Sequence, residues 1–372
     1  MIYPEKIDRR TYLKRMVTLS KRIAMLTLFP SCSSGTEVKD SPEEEALIAN
    51  YGDTSLREYV MRKLHHGDGR FLSPFENVEN HGGMVNILKW KLLTENKFRE
   101  CYKDEKVVTV AVDWDAVRDH SGLSVTFLKH STILIKDQGT YILVDPVFFR
   151  FVRTVKDFTP LGFDINEMPP PDHILITHGH MDHLDTNSLK SLERDTHIIT
   201  PLGYDEIFKS LKMSNGTQLD WYDKYSDGKR EIILLPCHHW TMRNPIKGPN
   251  RSLWGSYIIK TASGGNIFVS GDTAYFDHFE EIGRQFKIDL AIINLGAYEP
   301  RWFMKGGHMN PEETVRAFRV LNADRLMVVH WGTFRLGDEP VHFPPLDIDR
   351  EMKRAGLSES LVKIVHGETL FM

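Results

Sequence analysis

Residues 177–185 read Thr-His-Gly-His-Met-Asp-His-Leu-Asp and directly follow the strand-like apolar run 174–176. This short segment carries three imidazoles and one carboxylate, which are common zinc ligands: His178, His180, Asp182 and His183. A tight turn after a strand can aim the first two at one ion and the last two at a second ion. The alternative is a polar loop whose histidines only cap the next helix. The clustering favours a metal site, so the fold must bring further ligands to the end of this strand.

Three other apolar runs are also followed by side chains that can bind metal. His239 follows the run 232–235, Asp272 follows 267–270, and His330 follows 326–329. Because α/β sheets gather ligand groups at the carboxyl ends of their strands, all of these side chains are expected at one edge.

This pattern resembles the metallo-β-lactamase superfamily, and the resemblance implies an α/β fold of the four-layer αββα sandwich type. It also implies two Zn²⁺ ions per protomer, with His178, His180 and His239 on one ion and Asp182, His183 and His330 on the other. Asp272 would bridge the ions, and both Asp272 and Asp182 are predicted to be catalytic. Two ions about 3.5–4 Å apart can generate a nucleophile from water near neutral pH.

Two aspartates are candidates for orienting the metal ligands by hydrogen bonds without binding the metal themselves. Asp145, in Leu-Val-Asp-Pro, matches the superfamily aspartate that orients a ligand imidazole, although an Asp-Pro turn is the alternative. Asp185 is either a similar supporting residue or the N-cap of the next helix. Cys237 is either an outer neighbour of the metal or a small buried hydrophobe.

A narrower resemblance extends over residues 69–335. The blocks that carry it are 69–74, 128–132, 240–243, 253–256, 296–305 and 308–313. They resemble the N-acyl-phosphatidylethanolamine-hydrolysing phospholipase D family and its bacterial relatives. The resemblance implies hydrolysis of a phospholipid phosphodiester to phosphatidate and an N-acylethanolamine.

The same blocks provide candidates for substrate contact. His308 is predicted to contact the phosphate or to protonate the leaving oxygen, with a surface histidine as the alternative. The expected apolar and cationic rim for the lipid comprises Tyr298, Arg301, Trp302, Phe303 and Met304. Aromatic residues are as often part of a core, so that alternative stays open.

The composition of the chain limits the classes of binding partner that we expect. The formal net charge is −4 and no basic face stands out, which argues against nucleic acid. A phospholipid substrate and a membrane surface are the expected partners, and a homo-oligomer is an open alternative. The three cysteines are too few and too scattered for a disulfide framework. The rival functions are a sugar-phosphate lactonase of the same superfamily and a non-enzymatic, metal-stabilised envelope protein.

The chain is predicted to have three parts. Residues 1–35 carry Arg9-Arg10, a short apolar run and Cys32, which resemble a twin-arginine export signal with a lipidation site. That pattern predicts a membrane-associated, exported protein, whereas a basic helix or disordered leader would leave it cytoplasmic. Residues 36–120 form a helical extension packed on the core, with helices near 46–50, 56–64 and 85–93. Residues 121–372 form the hydrolase domain.

Overall fold

The computed structural model describes residues 55–75, 84–244 and 246–372. The predicted export signal, Cys32 and the predicted helix near 46–50 lie outside these residues and stay predictions. Within the described ranges, no helix is long and apolar enough to cross a membrane.

In the described part of the chain, two mixed sheets of seven strands form the centre of the fold. The first sheet has the order β14-β1-β2-β3-β4-β5-β6, and the second has the order β13-β12-β11-β10-β9-β8-β7. The strands of the first sheet are β1 Leu123–Lys129, β2 Thr132–Asp137, β3 Thr140–Val144, β4 His173–Leu175, β5 His197–Pro201, β6 Gly216–Leu219 and β14 Thr369–Phe371. Those of the second are β7 Lys224–Ser226, β8 Glu231–Leu235, β9 Ser256–Lys260, β10 Asn266–Val269, β11 Ile288–Asn294, β12 Ala323–Val329 and β13 Leu361–Val362.

Helices surround the sheets. The α-helices are α1 Leu56–Met61, α2 Met84–Leu88, α3 Trp114–Asp119, α4 Thr186–Lys190, α5 Asp205–Ser210, α6 Phe279–Gln285, α7 Arg301–Met304, α8 Pro311–Val320 and α9 Phe343–Arg354. A π-helical turn at Lys89–Leu93 continues α2, and 3₁₀ turns lie at Arg99–Asp104, Ile165–Glu167 and Ser358–Ser360. A capping box opens α8, where the Asn310 side chain accepts from Glu313 N–H and the Glu313 side chain accepts from Asn310 N–H.

One large core lies between the sheets. It contains Val125 and Ile135 from the first sheet together with Ile258 and Ile292 from the second. Helices α6, α8 and α9 add apolar side chains to this cluster on the second sheet, and a separate cluster joins α3 and α4 to the outer face of the first. Because both faces of each sheet are covered, strands such as β8 and β11 carry runs of consecutive buried apolar residues. This confirms the predicted four-layer α/β sandwich.

The described part of the predicted N-terminal extension packs on this sandwich. After α1, three basic side chains contact the buried Asp220: Lys63 Nζ at 2.6 Å, His65 Nε2 at 2.6 Å and His66 Nε2 at 2.8 Å. Trp90 of the π-helical turn packs against the ring of Phe303 and donates to Asp338. The boundary between an extension and a separate domain stays a prediction.

Candidate metal centre

The predicted ligands come together where four strands end. His178, His180 and His183 lie after β4, His239 after β8, Asp272 after β10 and His330 after β12, and all six are at most 8 % exposed. Asp182 lies with them, and its side chain is 14 % exposed. The strand ends therefore meet at one edge, as the sequence predicts.

The first set of ligand atoms comprises three imidazole nitrogens and one carboxylate oxygen. His178 Nε2 lies 3.0 Å from His180 Nδ1, which is 3.3 Å from His239 Nε2. Asp272 Oδ2 is 3.8 Å from His178 Nε2 and 3.9 Å from His239 Nε2. All four ligand atoms lie within 4.8 Å of one another.

The second set shares the same carboxylate. His183 Nε2 lies 3.2 Å from Asp272 Oδ2, and His330 Nε2 lies 3.4 Å from Asp272 Oδ1. Asp182 Oδ2 is 3.6 Å from His330 Nε2 and 3.8 Å from His183 Nε2. Asp272 Oδ2 thus faces histidines of both sets, and Asp272 Oδ1 faces His330 of the second set. A carboxylate that faces both sets has the geometry expected of a bridging residue.

Hydrogen bonds fix which nitrogen of several rings faces the centre. His183 Nδ1 donates to Asp145 Oδ2 at 2.8 Å, and His239 Nδ1 donates to the Gly307 carbonyl at 3.1 Å. His178 Nδ1 donates to Thr177 Oγ1, and that hydroxyl donates to Asp145 Oδ2. An imidazole that donates from Nδ1 keeps the lone pair of Nε2 for a metal. In their neutral form these three rings therefore present an acceptor to the centre. Burial opposes the charge of His183, but Asp272, Asp182 and Asp145 outweigh it and raise its pKa well above the usual value, so a metal at His183 would take the place of the Nε2 proton.

Charge at the centre also fits a divalent cation. Burial opposes the charge of Asp272, but neighbouring His183, His330 and His308 outweigh it and hold its pKa well below the usual range. Burial together with the neighbouring imidazoles holds the pKa of His178 well below its usual value, so this ring is neutral. Metal ligands must be carboxylates and neutral imidazoles.

Two buried imidazole nitrogens further test whether the centre fits a metal ion. His183 Nε2 and His330 Nε2 are buried and make no hydrogen bond within the described part of the chain. Buried polar atoms of this kind normally have a partner, and both point at the two carboxylates. A set of imidazole and carboxylate donors with buried, unpartnered nitrogens suits a metal such as zinc.

The structure separates the two predicted supporting aspartates. Asp145 accepts from Thr177 N–H, Thr177 Oγ1 and His183 Nδ1, so it supports the ligands as the resemblance implies. Asp185 is instead the N-cap of α4 and accepts from the N–H groups of Asn187 and Ser188. Of its two predicted roles, the structure therefore gives Asp185 the N-cap role. Cys237 is buried, and burial raises the pKa of its thiol, as expected of a small apolar residue.

Most of the predicted rim is inside the protein. Tyr298, Phe303 and Met304 are at most 7 % exposed, which corrects the prediction that they form an exposed surface for lipid. The Tyr298 hydroxyl donates to Asp347, and Phe303 is covered by Trp90. Arg301 donates to the His308 carbonyl and pairs with Glu313.

Trp302 lies beside these residues and is half-buried, with the Lys89 ammonium 4.9 Å from its ring centroid. It is therefore the aromatic residue of the predicted rim that keeps some exposure.

His308 lies at the open side of the centre. Its side chain is 20 % exposed and its Nδ1 is 4.0 Å from Asp272 Oδ2. Its ring stacks with that of His330 at a centroid distance of 5.7 Å. Burial lowers the pKa of His308 to about 4, so the ring is neutral near pH 7.

Sequence reasoning missed two residues at the centre. Asn294, at the end of β11, donates to Asp272 Oδ1 at 2.9 Å and to Ser131 Oγ at 3.2 Å. His130 is buried, and its Nε2 is 3.2 Å from Asp182 Oδ2. The sequence did carry one signal for Asn294, because it too follows an apolar strand.

Fold and site together define a metal-dependent hydrolase of the metallo-β-lactamase superfamily, to which this chain belongs. Residues 140–331 match the family model described as the beta-lactamase superfamily domain. A structure titled as a possible metal-dependent hydrolase from Veillonella parvula has the same fold, with a TM-score of 0.56 and 16% identity, covering 68% of this chain and all of that one.

Within the superfamily the chain belongs to the N-acyl-phosphatidylethanolamine-hydrolysing phospholipase D family. It is 30% identical over 305 residues to the family's protein 1 of Caenorhabditis elegans, covering 76% of this chain and 85% of that one. It is 34% identical over 227 residues to the mitochondrial protein of this name from Saccharomyces cerevisiae, covering 58% of this chain and 48% of that one.

Proposed function

We propose that this chain is a zinc-dependent hydrolase of phospholipase D type. It acts on N-acyl-phosphatidylethanolamine-like phospholipids and releases phosphatidate and an N-acylethanolamine. The observation that carries the proposal is the pair of ligand sets that share the Asp272 carboxylate. The names of the worm and yeast relatives support the substrate class.

Two zinc ions per protomer are proposed. His178, His180 and His239 would hold one, Asp182, His183 and His330 would hold the other, and Asp272 would contact both. When bound, such a pair of ions would lower the pKa of a bound water to about 7 and would neutralise negative charge on the phosphoryl oxygens.

Other side chains keep this centre in its working geometry. Asp145 supports His183 directly and His178 through Thr177, so one carboxylate sets the tautomers of two rings. Asn294 holds the Asp272 oxygen that faces His330. Donors fixed in this way need no reorganisation when charge develops on the phosphate.

His308 is proposed to act on the substrate. His308 and Asp182 are more exposed than the other side chains of the centre. We therefore expect the phosphodiester to approach from the side of these two residues. The neutral ring can donate a hydrogen bond to the phosphate. A phosphodiester anion beside it favours the protonated ring, which can then protonate the leaving oxygen.

The proposed partners are a phospholipid and a membrane surface, with no role for nucleic acid. Phe149 is 42 % exposed, and the exposed Arg150 and Arg153 lie on the same loop, a combination suited to an anionic lipid surface. Export through the predicted signal is part of the same proposal, and a homo-oligomer stays an open alternative. Recovery of the full-length chain in soluble cytosol after fractionation would contradict export.

The test is an assay of zinc-loaded protein against four substrates. They are N-acyl-phosphatidylethanolamine in vesicles, phosphatidylcholine in vesicles, a sugar-phosphate lactone and a water-soluble phosphodiester. We expect the highest kcat/KM on N-acyl-phosphatidylethanolamine, with phosphatidate as product and with the protein sedimenting with the vesicles. Preference for the lactone would contradict the proposal and identify the sugar-phosphate lactonase.

A further inference from the structure

One buried histidine contacts the proposed centre without belonging to the predicted ligand set. His130 lies in the two-residue turn between β1 and β2 on the first sheet, and its side chain is fully buried. Its Nε2 is 3.2 Å from Asp182 Oδ2, and its ring lies 4.1 Å from that of His330 between centroids. His130 thus touches two of the three side chains that belong to the second set alone.

The backbone of His130 is hydrogen-bonded to the loop that follows β12 of the second sheet and carries His330. Its N–H donates to Thr333 Oγ1 at 2.9 Å, and its carbonyl accepts from His330 N–H at 2.8 Å. Its φ of 52° lies in the left-handed region, which histidine and asparagine enter more readily than most residues. The turn therefore holds His330 by its backbone and Asp182 by its side chain.

The contact with Asp182 is that of a hydrogen-bond donor. Of the three imidazole nitrogens around Asp182 Oδ2, His130 Nε2 is nearest at 3.2 Å, against 3.6 Å for His330 and 3.8 Å for His183. Within the described residues, His130 Nδ1 is buried and has no partner. A neutral ring with one carboxylate neighbour keeps its proton on the nitrogen that faces the carboxylate.

We propose that His130 is a positioning residue, which donates from Nε2 to Asp182 and fixes the carboxylate oxygen that faces the second ion. The inference rests on the proposed two-zinc function. The rival assignment makes His130 itself a ligand, since its nitrogen lies within 4.8 Å of the ligand atoms of Asp182, His183 and His330. Asp182 at hydrogen-bond distance favours the donor role.

Zinc titration of the apo-protein by calorimetry separates these roles. His130→Asn tolerates the left-handed backbone but is too short to reach Asp182, whereas the amide nitrogen of His130→Gln reaches about as far as Nε2. We expect His130→Asn to weaken the second zinc by about 10–100-fold and to leave the first unchanged. His130→Gln should recover most of that loss, because the hydrogen bond is restored.

His173→Gln is the matched control, because this buried histidine lies at the start of β4, away from the centre. It should bind both ions like the wild type, and thermal unfolding of each apo-protein checks that the variants fold. Equal loss in His130→Asn and His130→Gln would make His130 a ligand, and wild-type affinity in His130→Asn would make it a bystander; either result overturns the inference. A wild type that binds fewer than two zinc ions overturns the proposed function instead.

Histidine-selective ¹⁵N NMR of the zinc-loaded wild type gives the answer even if His130→Asn does not fold. The His130→Gln spectrum assigns the His130 signal by its loss. A protonated Nε2 on His130 supports the positioning role, and an unprotonated Nε2 shifted by zinc overturns it.

Discussion

The partner of one ring nitrogen decides what the other nitrogen of the same histidine can do. His183 and His239 both donate from Nδ1, to a carboxylate and to a carbonyl, and so both present Nε2 to the centre. The sequence motif predicts that these histidines meet, but it does not predict which nitrogen faces inwards. That depends on Asp145 and Gly307, which are distant in sequence from the rings they hold.

His130 shows the limit of prediction at this scale. It stands alone in its turn, with no second histidine or carboxylate beside it in sequence, and its partner Asp182 lies 52 residues further along the chain. Motif spacing identifies ligands that cluster or that follow apolar strands. It does not identify a single residue that the pairing of two strands carries to the centre.

His308→Ala should keep both zinc ions and lower kcat, because His308 is proposed to contact the substrate and not the metals. Loss of one positioned proton donor typically lowers kcat by about 10²–10⁴-fold. Metal content by mass spectrometry and kcat on vesicle substrate are measured together. His120→Ala, a partly buried histidine before β1, is the control. If His308→Ala loses a metal, His308 is a ligand and the proposed ligand set is incomplete.

At the scale of elements, apolar runs with a β-branched or leucine-rich pattern predict the strands because both faces of the sheets are buried. The predicted run 326–329 is the buried end of β12, whose first residues are more exposed. The start of α8 likewise depends on a local signal, because its capping box joins Asn310 and Glu313, three residues apart in sequence.

Burial of the 298–304 segment is not predictable in the same way. Tyr298, Phe303 and Met304 have the composition of a lipid-contacting rim, and nothing within their own segment shows that they are covered. Trp90, far earlier in the chain, packs on Phe303. Only the tertiary fold shows whether an aromatic residue faces solvent or another element.

Asp220→Asn should loosen the segment after α1 and lower the free energy of unfolding by about 1–3 kcal/mol, since it leaves the buried His65 and the partly exposed Lys63 and His66 without a charged acceptor. Burial raises the pKa of Asp220, but hydrogen bonds from His65, Lys63 and His66 outweigh this and hold it below the usual range. A lowered pKa stabilises the fold above the unfolded value of about 4, and this stabilisation is lost as the pH falls further.

The stability difference between wild type and Asp220→Asn should therefore shrink below about pH 4. Urea unfolding at a series of pH values measures it. The control is Asp277→Asn at an exposed ion pair with Arg316, where a change within about 0.5 kcal/mol is expected. A difference that does not vary with pH would contradict the charge assignment of Asp220.

At the scale of the molecule, the sandwich brings together ligands that are far apart in sequence. His178 and His330 come from different sheets, yet their strands end at the same edge of the two packed layers. The polar residues that follow the apolar runs, together with the superfamily resemblance, are sufficient to predict that the ligands meet at this edge. The surface around it, which decides the substrate, depends on how the N-terminal segment and the loops cover it.

The most direct test of the central claim is metal content and turnover measured on the same samples of wild type and Asp272→Asn. Among the residues that the structure describes, Asp272 is the one carboxylate that faces both ligand sets, so we expect two zinc ions and hydrolysis of N-acyl-phosphatidylethanolamine in the wild type. Asp272→Asn should lose zinc and nearly all turnover together. A variant that keeps both ions and full turnover, or a wild type that binds fewer than two ions in zinc-supplemented buffer, would contradict the account.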